Sequence, residues 1–238
     1  MTQGELDQCP FCRGREDRTP PETLRLPEQD DWTVRVVPNL YPAVERQEVV
    51  IHSPEHKRSF ADLSSKELEL LEHAWLVRGG PFWLFNEGRL AGSSLPHSHS
   101  QFVYLDRTSP EERLEMAEEG CGVCDVVQEH EELSIVGDVS GVEAFVHPAG
   151  RLPYELVIAH SADDLDLGAA LVLLRESIRR LRAVEGPVPW NAWLHNHNPH
   201  VHLHVLPRLT VLAGLELGAG IYVNSLDPAE AAARLRSV

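Results

Sequence analysis

The stretch Asn86-Glu87-Gly88-Arg89-Leu90-Ala91-Gly92-Ser93-Ser94-Leu95-Pro96-His97-Ser98-His99-Ser100-Gln101 places a glycine- and serine-rich loop directly before alternating histidines. An apolar run at residues 82–85 precedes the loop and is typical of a strand. Side chains two residues apart on an extended segment share a face, so His97 and His99 are expected to lie side by side. The sequence therefore predicts a strand–loop–strand unit that ends in paired imidazoles.

The signals around this stretch occur twice in the same order. The first pass contains a C-x-x-C pair, apolar strands at 34–37 and 48–51, a helix from Asp62 to about 78, a strand at 82–85 and the histidines at 97–101. The second contains a C-x-x-C pair, strands at 143–146 and 155–158, a helix from Asp163 to about 182, a strand at 190–194 and the histidines at 200–204. A capped helix from 109 to about 120 would link them. This order predicts an α+β fold made of two copies of one unit.

Composition narrows the classes of partner. The chain has 238 residues with 21 basic and 37 acidic side chains, a formal charge of −16, and 42% hydrophobic residues. Such a surface repels nucleic acids and anionic membranes, and its apolar runs are shorter than the roughly 20 residues that span a bilayer. Because the first residues also lack the basic and apolar pattern of a secretory signal, we expect a cytoplasmic protein with no nucleic-acid or membrane partner.

The paired cysteines indicate metal sites. Two thiolates from a C-x-x-C pair and two imidazoles form a common tetrahedral zinc site, so Cys9 and Cys12 with His56 and His97 are the predicted first set. A redox pair or two core cysteines are the alternatives. A second zinc site is predicted from Cys121, Cys124, Asp163 and His200, with His160 as a substitute for the carboxylate.

The chemistry predicted for the histidine segment is attack on phosphorus. The N–H groups of the loop around Gly92, with the hydroxyls of Ser93 and Ser94, can surround a phosphate, and Gln101 shares the face of His99 and offers an amide donor. A neutral imidazole aimed at that phosphate is a competent nucleophile. The alternative is that His97 and His99 both bind one metal.

These segments together resemble the galactose-1-phosphate uridylyltransferase family, a branch of the histidine-triad superfamily. The resemblance covers nearly the whole chain and is carried by the loop quoted above and by residues 9–12, 19–22, 39–43, 53–56, 200–208 and 213–220. It implies two tandem histidine-triad-like units, each an antiparallel sheet with a helix packed on it, over residues 1–107 and 108–238.

The resemblance also implies a reaction in two displacements. His99 would attack the α-phosphorus of a nucleoside-diphosphate sugar, a sugar 1-phosphate would leave, and a second hexose 1-phosphate would accept the nucleotide. By the family pattern, Ser94 and Gln101 hold the α-phosphate, Asn86 lies beside the phosphates, Asn39 and Leu40 contact the base, and Glu216 reaches the sugar hydroxyls, often from the partner in a homodimer. The predicted activity is a uridylyltransferase-like exchange in carbohydrate metabolism.

Departures from the family pattern leave two alternatives open. Ser98 stands where the sugar-exchanging enzymes usually carry proline, and this serine is similar to the nucleoside-diphosphate-sugar phosphorylase branch, such as ADP-glucose phosphorylase. Phosphate or water would then resolve the intermediate. Leu215 replaces an aromatic residue that is common in the family, which argues against recognition of a hexose. The chain is also shorter than typical members, which makes a zinc-stabilised nucleotide-binding protein without catalysis the other alternative. Aligning the repeats with His200 on His97 places His202 opposite His99, where a metal-binding or structural role is favoured over a second nucleophile.

Overall fold

The computed structural model describes residues 3–29, 31–115, 129–160, 165–196 and 201–238 and contains two compact units, Met1–Arg107 and Thr108–Val238. In each unit, short strands rich in valine, leucine and aromatic residues build an antiparallel sheet. The predicted α+β class with antiparallel sheets is confirmed. That both units are copies of a histidine-triad fold stays a prediction.

The first unit contains a sheet with the strand order β1-β2-β3-β5-β4. Its strands are β1 Leu24–Leu26, β2 Val34–Pro38, β3 Gln47–Ile51, β4 Phe82–Glu87 and β5 His99–Val103, and its α-helices are α1 Gln3–Gln8 and α2 Ser65–Val77. Helix α2 buries Leu68 and Leu71, two of the three apolar positions at helical spacing, together with Ala74; the third position, Trp75, is half-buried. These side chains cover one face of the sheet and leave the other face to the predicted site.

Helix α2 starts later than expected. Asp62 lies in a short 3₁₀ turn, Phe60–Asp62, whereas Ser64 caps the helix. The Ser64 hydroxyl accepts the Glu67 N–H, and the Glu67 carboxylate accepts the Ser64 N–H at 2.6 Å. This reciprocal capping box satisfies two N–H groups, so it defines the start better than a single aspartate.

The second unit has the corresponding strand order β6-β7-β8-β10-β9. Its strands are β6 Ser134–Val139, β7 Val142–Val146, β8 Leu156–His160, β9 Trp190–His195 and β10 His202–Pro207. Its described α-helices are α3 Pro110–Glu115, α4 Leu167–Glu185, α5 Gly214–Ala219 and α6 Pro228–Arg236. In both units the second and third strands of the sequence pair directly, and the last strand of the sequence lies between the third and the fourth.

Two helix predictions change in the second unit. Helix α4 is capped by Asp166, whose side chain accepts the Ala169 N–H at 2.9 Å, so it begins after Asp163. The apolar residues that recur at helical spacing along α4 are buried: Leu171, Leu174, Ile178 and Leu181. Of the predicted linker helix, residues 110–115 form α3, and residues 116–120 lie outside the described residues.

Strand pairing corrects the alignment of the two histidine segments. His99 pairs with Ile51, but the residue paired with the corresponding Ile158 is Leu203. The counterpart of His99 in this alignment is therefore Leu203, and His202 corresponds to Ser98.

Within the described part of the chain, no helix combines the length and apolar character that crossing a membrane requires.

Candidate active site

The candidate nucleophile lies on the face of strand β5 away from helix α2. His99 pairs with Ile51 and Gln101 pairs with Val49 on β3, so the two polar side chains project together. Ser98 and Ser100 point to the other face and are buried. The alternation expected from the sequence therefore divides the segment into a reactive face and a supporting face.

The imidazole of His99 is held in one tautomer. Its Nδ1–H donates to the carbonyl oxygen of His97 at 2.7 Å, which leaves the Nε2 lone pair for chemistry. Burial lowers the pKa of His99, although the hydrogen bond to the His97 carbonyl opposes this effect. A neutral ring with an available Nε2 is the state that attack on phosphorus needs.

The predicted first zinc ligands are brought together. Cys9, Cys12, His56 and His97 each offer a ligand atom within 4.8 Å of the others. The His97 Nδ1 lies 3.4 Å from the Cys9 Sγ and 3.7 Å from the Cys12 Sγ, and the His56 Nδ1 lies 3.3 Å from the Cys12 Sγ. Around a tetrahedral zinc ion with ordinary bond lengths, sulfur and nitrogen ligands are separated by about 3.6 Å. The donor set and its spacing therefore fit zinc.

The outer nitrogens of both histidines are bound so that each Nδ1 faces the cysteines. The His97 Nε2–H donates to the Ser53 carbonyl at 2.9 Å, and the His56 Nε2 lies 3.0 Å from the Glu5 carboxylate. A ligand histidine whose other nitrogen donates to an oxygen is the usual second layer of a zinc site. Burial lowers the pKa of His97 to about 4, so the ring is neutral and able to bind a metal at physiological pH.

Phe11 connects the cysteine pair to the nucleophile. It lies between Cys9 and Cys12 in the sequence and packs edge-on against His99, with ring centroids 5.3 Å apart. Its contact with His97 has the same edge-on geometry at 5.9 Å. The buried Phe11 ring therefore contacts both His97, from the predicted zinc set, and His99.

The glycine- and serine-rich loop differs in part from its prediction. The N–H groups of Gly92 and Ser93 donate to the carbonyls of Arg89 and Gly88, and the Ser93 hydroxyl donates to the Leu95 carbonyl. In this conformation Gly92 and Ser93 shape the turn, and these donors are not directed at a phosphate. Gly92 has φ +87°, a left-handed conformation that favours glycine. Ser94 is exposed and is the hydroxyl that remains for the phosphate.

The other predicted substrate residues of this unit lie near the same face. Asn86 lies on β4, two residues after Leu84, which pairs with Gln101 on β5. The antiparallel register runs from this pair toward Asn86 on one strand and His99 on the other. Asn39 is half-buried at the end of β2 and borders a cavity of about 430 Å³ that Gln47 and Glu48 also line. Leu40 follows Asn39 and is 64% exposed.

A histidine that the sequence analysis missed supports β5 from behind. His52 is fully buried, and its Nδ1 and Nε2 lie 2.9 and 2.8 Å from the hydroxyls of Ser98 and Ser100. Trp83 donates its indole N–H to the Ser100 hydroxyl at 2.7 Å. Burial lowers the pKa of His52 well below its usual range, so the ring is neutral. The signal was available, because His52 continues β3 on the face opposite Ile51.

A second cluster of possible metal ligands lies in the second unit. It contains Glu115, His195, His202 and His204. His195 pairs with His202 across β9 and β10, and oxygens of Glu115 lie 2.8 to 3.2 Å from the three rings. Burial opposes ionisation of Glu115, but hydrogen bonds from the histidines outweigh it and lower the pKa of Glu115. The carboxylate and three imidazoles form an oxygen–nitrogen site that could hold a divalent ion.

The predicted second zinc set has a different outcome. Cys121, Cys124, Asp163 and His200 lie outside the described residues, so that site stays a prediction. Glu115 was missed because a carboxylate in a predicted linker helix gave no ligand signal. His202 is fully buried between Glu115 and His204, which supports the metal-binding or structural role over a second nucleophile. Glu216 lies in α5 and accepts the Ala213 N–H at 2.9 Å.

Comparisons with known proteins indicate the family of the chain. No protein-family model matches the chain. ADP-glucose phosphorylase of Arabidopsis thaliana is 30% identical over 97% of this chain and 82% of its own length. Galactose-1-phosphate uridylyltransferase of Thermotoga maritima is 23% identical over 98% of this chain and 90% of its own length.

Solved structures give the same grouping. The crystal structure of the Arabidopsis thaliana ADP-glucose phosphorylase with bound ADP-glucose has a TM-score of 0.86 at 25% identity and covers 97% of this chain and 90% of its own. A uridylyltransferase mutant has a TM-score of 0.79 at 24% identity, covering 98% of this chain and 94% of its own, which shows likeness of fold.

Proposed function

Because the chain belongs to the galactose-1-phosphate uridylyltransferase family, we propose that it transfers a nucleoside monophosphate from a nucleoside-diphosphate sugar through a nucleotidyl intermediate on His99. The chain is a nucleotidyltransferase or phosphorylase of that superfamily. The observation that carries the assignment of the nucleophile is the hydrogen bond from His99 Nδ1–H to the His97 carbonyl. This bond leaves the lone pair on Nε2 available.

The first step is a displacement at the α-phosphorus. His99 Nε2 forms a bond to this phosphorus, and the bond from the phosphorus to the bridging oxygen breaks, so that sugar 1-phosphate leaves. Negative charge is spread over the non-bridging oxygens, where donors from Gln101 and Ser94 stabilise it. Because the Nδ1–H of His99 stays on the ring and donates to the His97 carbonyl, the hydrogen bond stabilises the cation that forms on the ring.

The second step returns the imidazole and decides the reaction class. An oxygen of an incoming phosphate attacks the same phosphorus, and the P–N bond to His99 breaks. Inorganic phosphate as acceptor yields a nucleoside diphosphate, as in a phosphorylase. This acceptor is favoured by the 30% identity with ADP-glucose phosphorylase and by Ser98 between the two histidines. Hexose 1-phosphate, the acceptor of the uridylyltransferase reading, is the second candidate and is supported by the full-length likeness to the Thermotoga maritima enzyme.

Zinc would be held by Cys9, Cys12, His56 and His97. When bound, the ion supplies structural stability by cross-linking the N-terminal segment to the base of β5. A further divalent ion would be held by Glu115 and the three histidines of the second unit. The proposed nucleophile and hydrogen-bond donors are protein side chains, and both ions would have structural roles.

The proposed function is tested by trapping the intermediate. The protein is mixed with ADP-glucose or UDP-glucose labelled at the α-phosphorus, and intact-protein mass and retained label are measured. We expect the label on wild type and its release by inorganic phosphate as the nucleoside diphosphate. His99→Asn should retain no label, whereas the matched control His73→Asn, on an exposed position of α2, should behave as wild type.

Other outcomes assign the alternatives. Release by hexose 1-phosphate alone would establish the exchange reaction, and release by water would establish a hydrolase. Nucleotide binding that is equal in wild type and His99→Asn, with no label on either, would support the non-catalytic binding protein and overturn the proposal.

We also propose a homodimer in which Glu216 reaches a sugar. Support comes from exposed apolar side chains around α5, including Val211, Leu217 and Ile221, which are 83, 73 and 57% exposed. Surfaces of this kind are typical of protein interfaces. Sedimentation velocity that shows only monomer at micromolar concentration would refute the dimer.

A further inference from the structure

The orientation of the Gln101 amide is set by a chain of hydrogen bonds that begins at the protein backbone. An amide side chain has one accepting oxygen and one donating nitrogen, and its orientation decides which of them faces a substrate. A phosphoryl oxygen needs a donor. The role proposed for Gln101 therefore requires its nitrogen, and not its oxygen, to face the phosphate.

Gln47 provides the fixed reference. Its Oε1 accepts the Ala43 N–H at 2.7 Å, and because a backbone N–H can only donate, the atom bound to it must be the oxygen. The Gln47 Nε2 is then the remaining group, and it donates to the Oε1 of Gln101. Gln47 and Gln101 are diagonal neighbours on the reactive face of the paired strands β3 and β5, so this contact is built into the register.

The consequence for Gln101 is a defined polarity. Its oxygen is occupied by Gln47, and its nitrogen has no hydrogen-bond partner within the ranges that the structure describes. Rotating the amide by half a turn would bring two N–H₂ groups together at Gln47 and leave the Gln101 oxygen toward the phosphate. In that orientation the contact with Gln47 is repulsive, and the Gln101 oxygen faces a phosphate that offers it no donor.

The chain of bonds also reaches the loop assigned to the base. Ala43 belongs to the segment between β2 and β3 that begins at Asn39, and the Asn39 N–H donates to the Gln47 carbonyl at 2.9 Å. Gln47 therefore contacts this loop through both its backbone and its side chain. Ordering of the loop by a bound base would be transmitted to Gln101 through one residue.

We propose that Gln47 is a positioning residue that fixes the Gln101 amide with its donors toward the transferred phosphoryl group and couples this orientation to the base-binding loop. The inference rests on the proposed function, in which Gln101 holds the α-phosphate. Gln47 acts through Gln101 and does not contact the reacting atoms.

The test compares Gln47→Glu with Gln47→Leu. A glutamate has nearly the same shape and can still accept the Ala43 N–H, but it has no donor for Gln101 and would turn the Gln101 nitrogen toward itself. We expect Gln47→Glu to slow formation of the nucleotidyl intermediate in a single turnover by about 100-fold, the usual effect of losing one donor to the developing charge. Leucine makes no hydrogen bond with Gln101, so the Gln101 amide can adopt either orientation. We therefore expect Gln47→Leu to slow formation of the intermediate by about 10-fold or less.

A double-variant cycle separates orientation from simple charge repulsion. In a Gln101→Leu background, Gln47→Glu should cause less than about a 2-fold further loss, because the residue through which it acts is absent. A carboxylate that merely repelled the phosphate would keep its full effect in that background. Gln29→Glu, the same chemical change at an exposed position of the same unit, is the matched control and should match wild type.

Calorimetric affinities for ADP and UDP, measured on the same variants, give a readout that does not need turnover. Gln47→Glu should weaken nucleotide binding more than Gln47→Leu, and only when Gln101 is present. Wild-type rates and affinities in Gln47→Glu, a larger loss in Gln47→Leu than in Gln47→Glu, or additive effects in the cycle would overturn the inference. Failure of the proposed function is distinct, since wild type itself would then form no nucleotidyl intermediate.

Discussion

Replacing His52 by leucine is expected to weaken the first unit and slow the reaction at once, although the ring lies behind the sheet. The substitution leaves the buried Ser98 hydroxyl without its partner, which costs about 1–3 kcal/mol. Ser100 keeps the indole N–H of Trp83 and loses one bond, which costs about 0.5–1.5 kcal/mol. Together these changes predict a fall of about 1.5–4.5 kcal/mol in the free energy of unfolding.

Denaturant unfolding of the metal-loaded protein measures this loss, and single-turnover formation of the nucleotidyl intermediate measures its effect on His99. A small displacement of a nucleophile lowers rates steeply, so we expect a decrease of about 10-fold or more. Adding Ser98→Ala to the variant removes the unsatisfied hydroxyl and should restore about 1–2 kcal/mol. The matched control is His73→Leu on the exposed side of α2, with an expected change within about 0.5 kcal/mol.

The pH dependence of stability gives an independent check. Burial lowers the pKa of His52 in the folded protein, so the unfolded chain binds the extra proton when the pH falls below about 6.5. Wild type therefore loses stability as the pH falls through this range, by up to about 1.4 kcal/mol per pH unit from this residue alone, and His52→Leu should show a shallower slope. A variant with unchanged stability, or one that Ser98→Ala fails to rescue, would refute the reasoning.

Two further predictions concern the metal clusters. Cys9→Ser should lower bound zinc and the unfolding temperature together, because ligand binding is coupled to folding; unchanged zinc by atomic emission spectroscopy would remove this site. Glu115→Gln should reduce metal bound to the second unit and destabilise it by about 3–5 kcal/mol, since His202 and His204 lose their shared charged partner; an unchanged melting curve and metal content would contradict this role.

Periodicity predicted the elements that position the site, and local capping decided their ends. The alternation of residues 97–101 placed His99 and Gln101 on one face, as the pairing with β3 requires. The start of α2 was wrong by three residues, because the reciprocal bonds of Ser64 and Glu67 outweigh a single aspartate.

The parts of the site that the sequence did not reveal depend on contacts between distant segments. Glu115 reaches three histidines from another element, and His52 meets two serines that lie 46 and 48 residues away. Whether the Ser93 hydroxyl can bind a phosphate also depends on the folded loop, because this hydroxyl donates to the Leu95 carbonyl within the turn. Residue type and spacing gave no indication that Glu115 would meet these histidines, whereas the position of His52 directly after β3 indicated its face but not its serine partners.

The difference in burial between His99 and the pair His202 and His204 affects how inactive variants of this protein should be interpreted. A substitution at His99 would remove the proposed nucleophile from a half-buried position of the first sheet. A missense change at His202 or His204 opens a fully buried cluster around a carboxylate, so its phenotype would be reduced protein abundance before any chemical defect. Two histidine pairs that look alike in the sequence therefore predict two different kinds of genetic lesion.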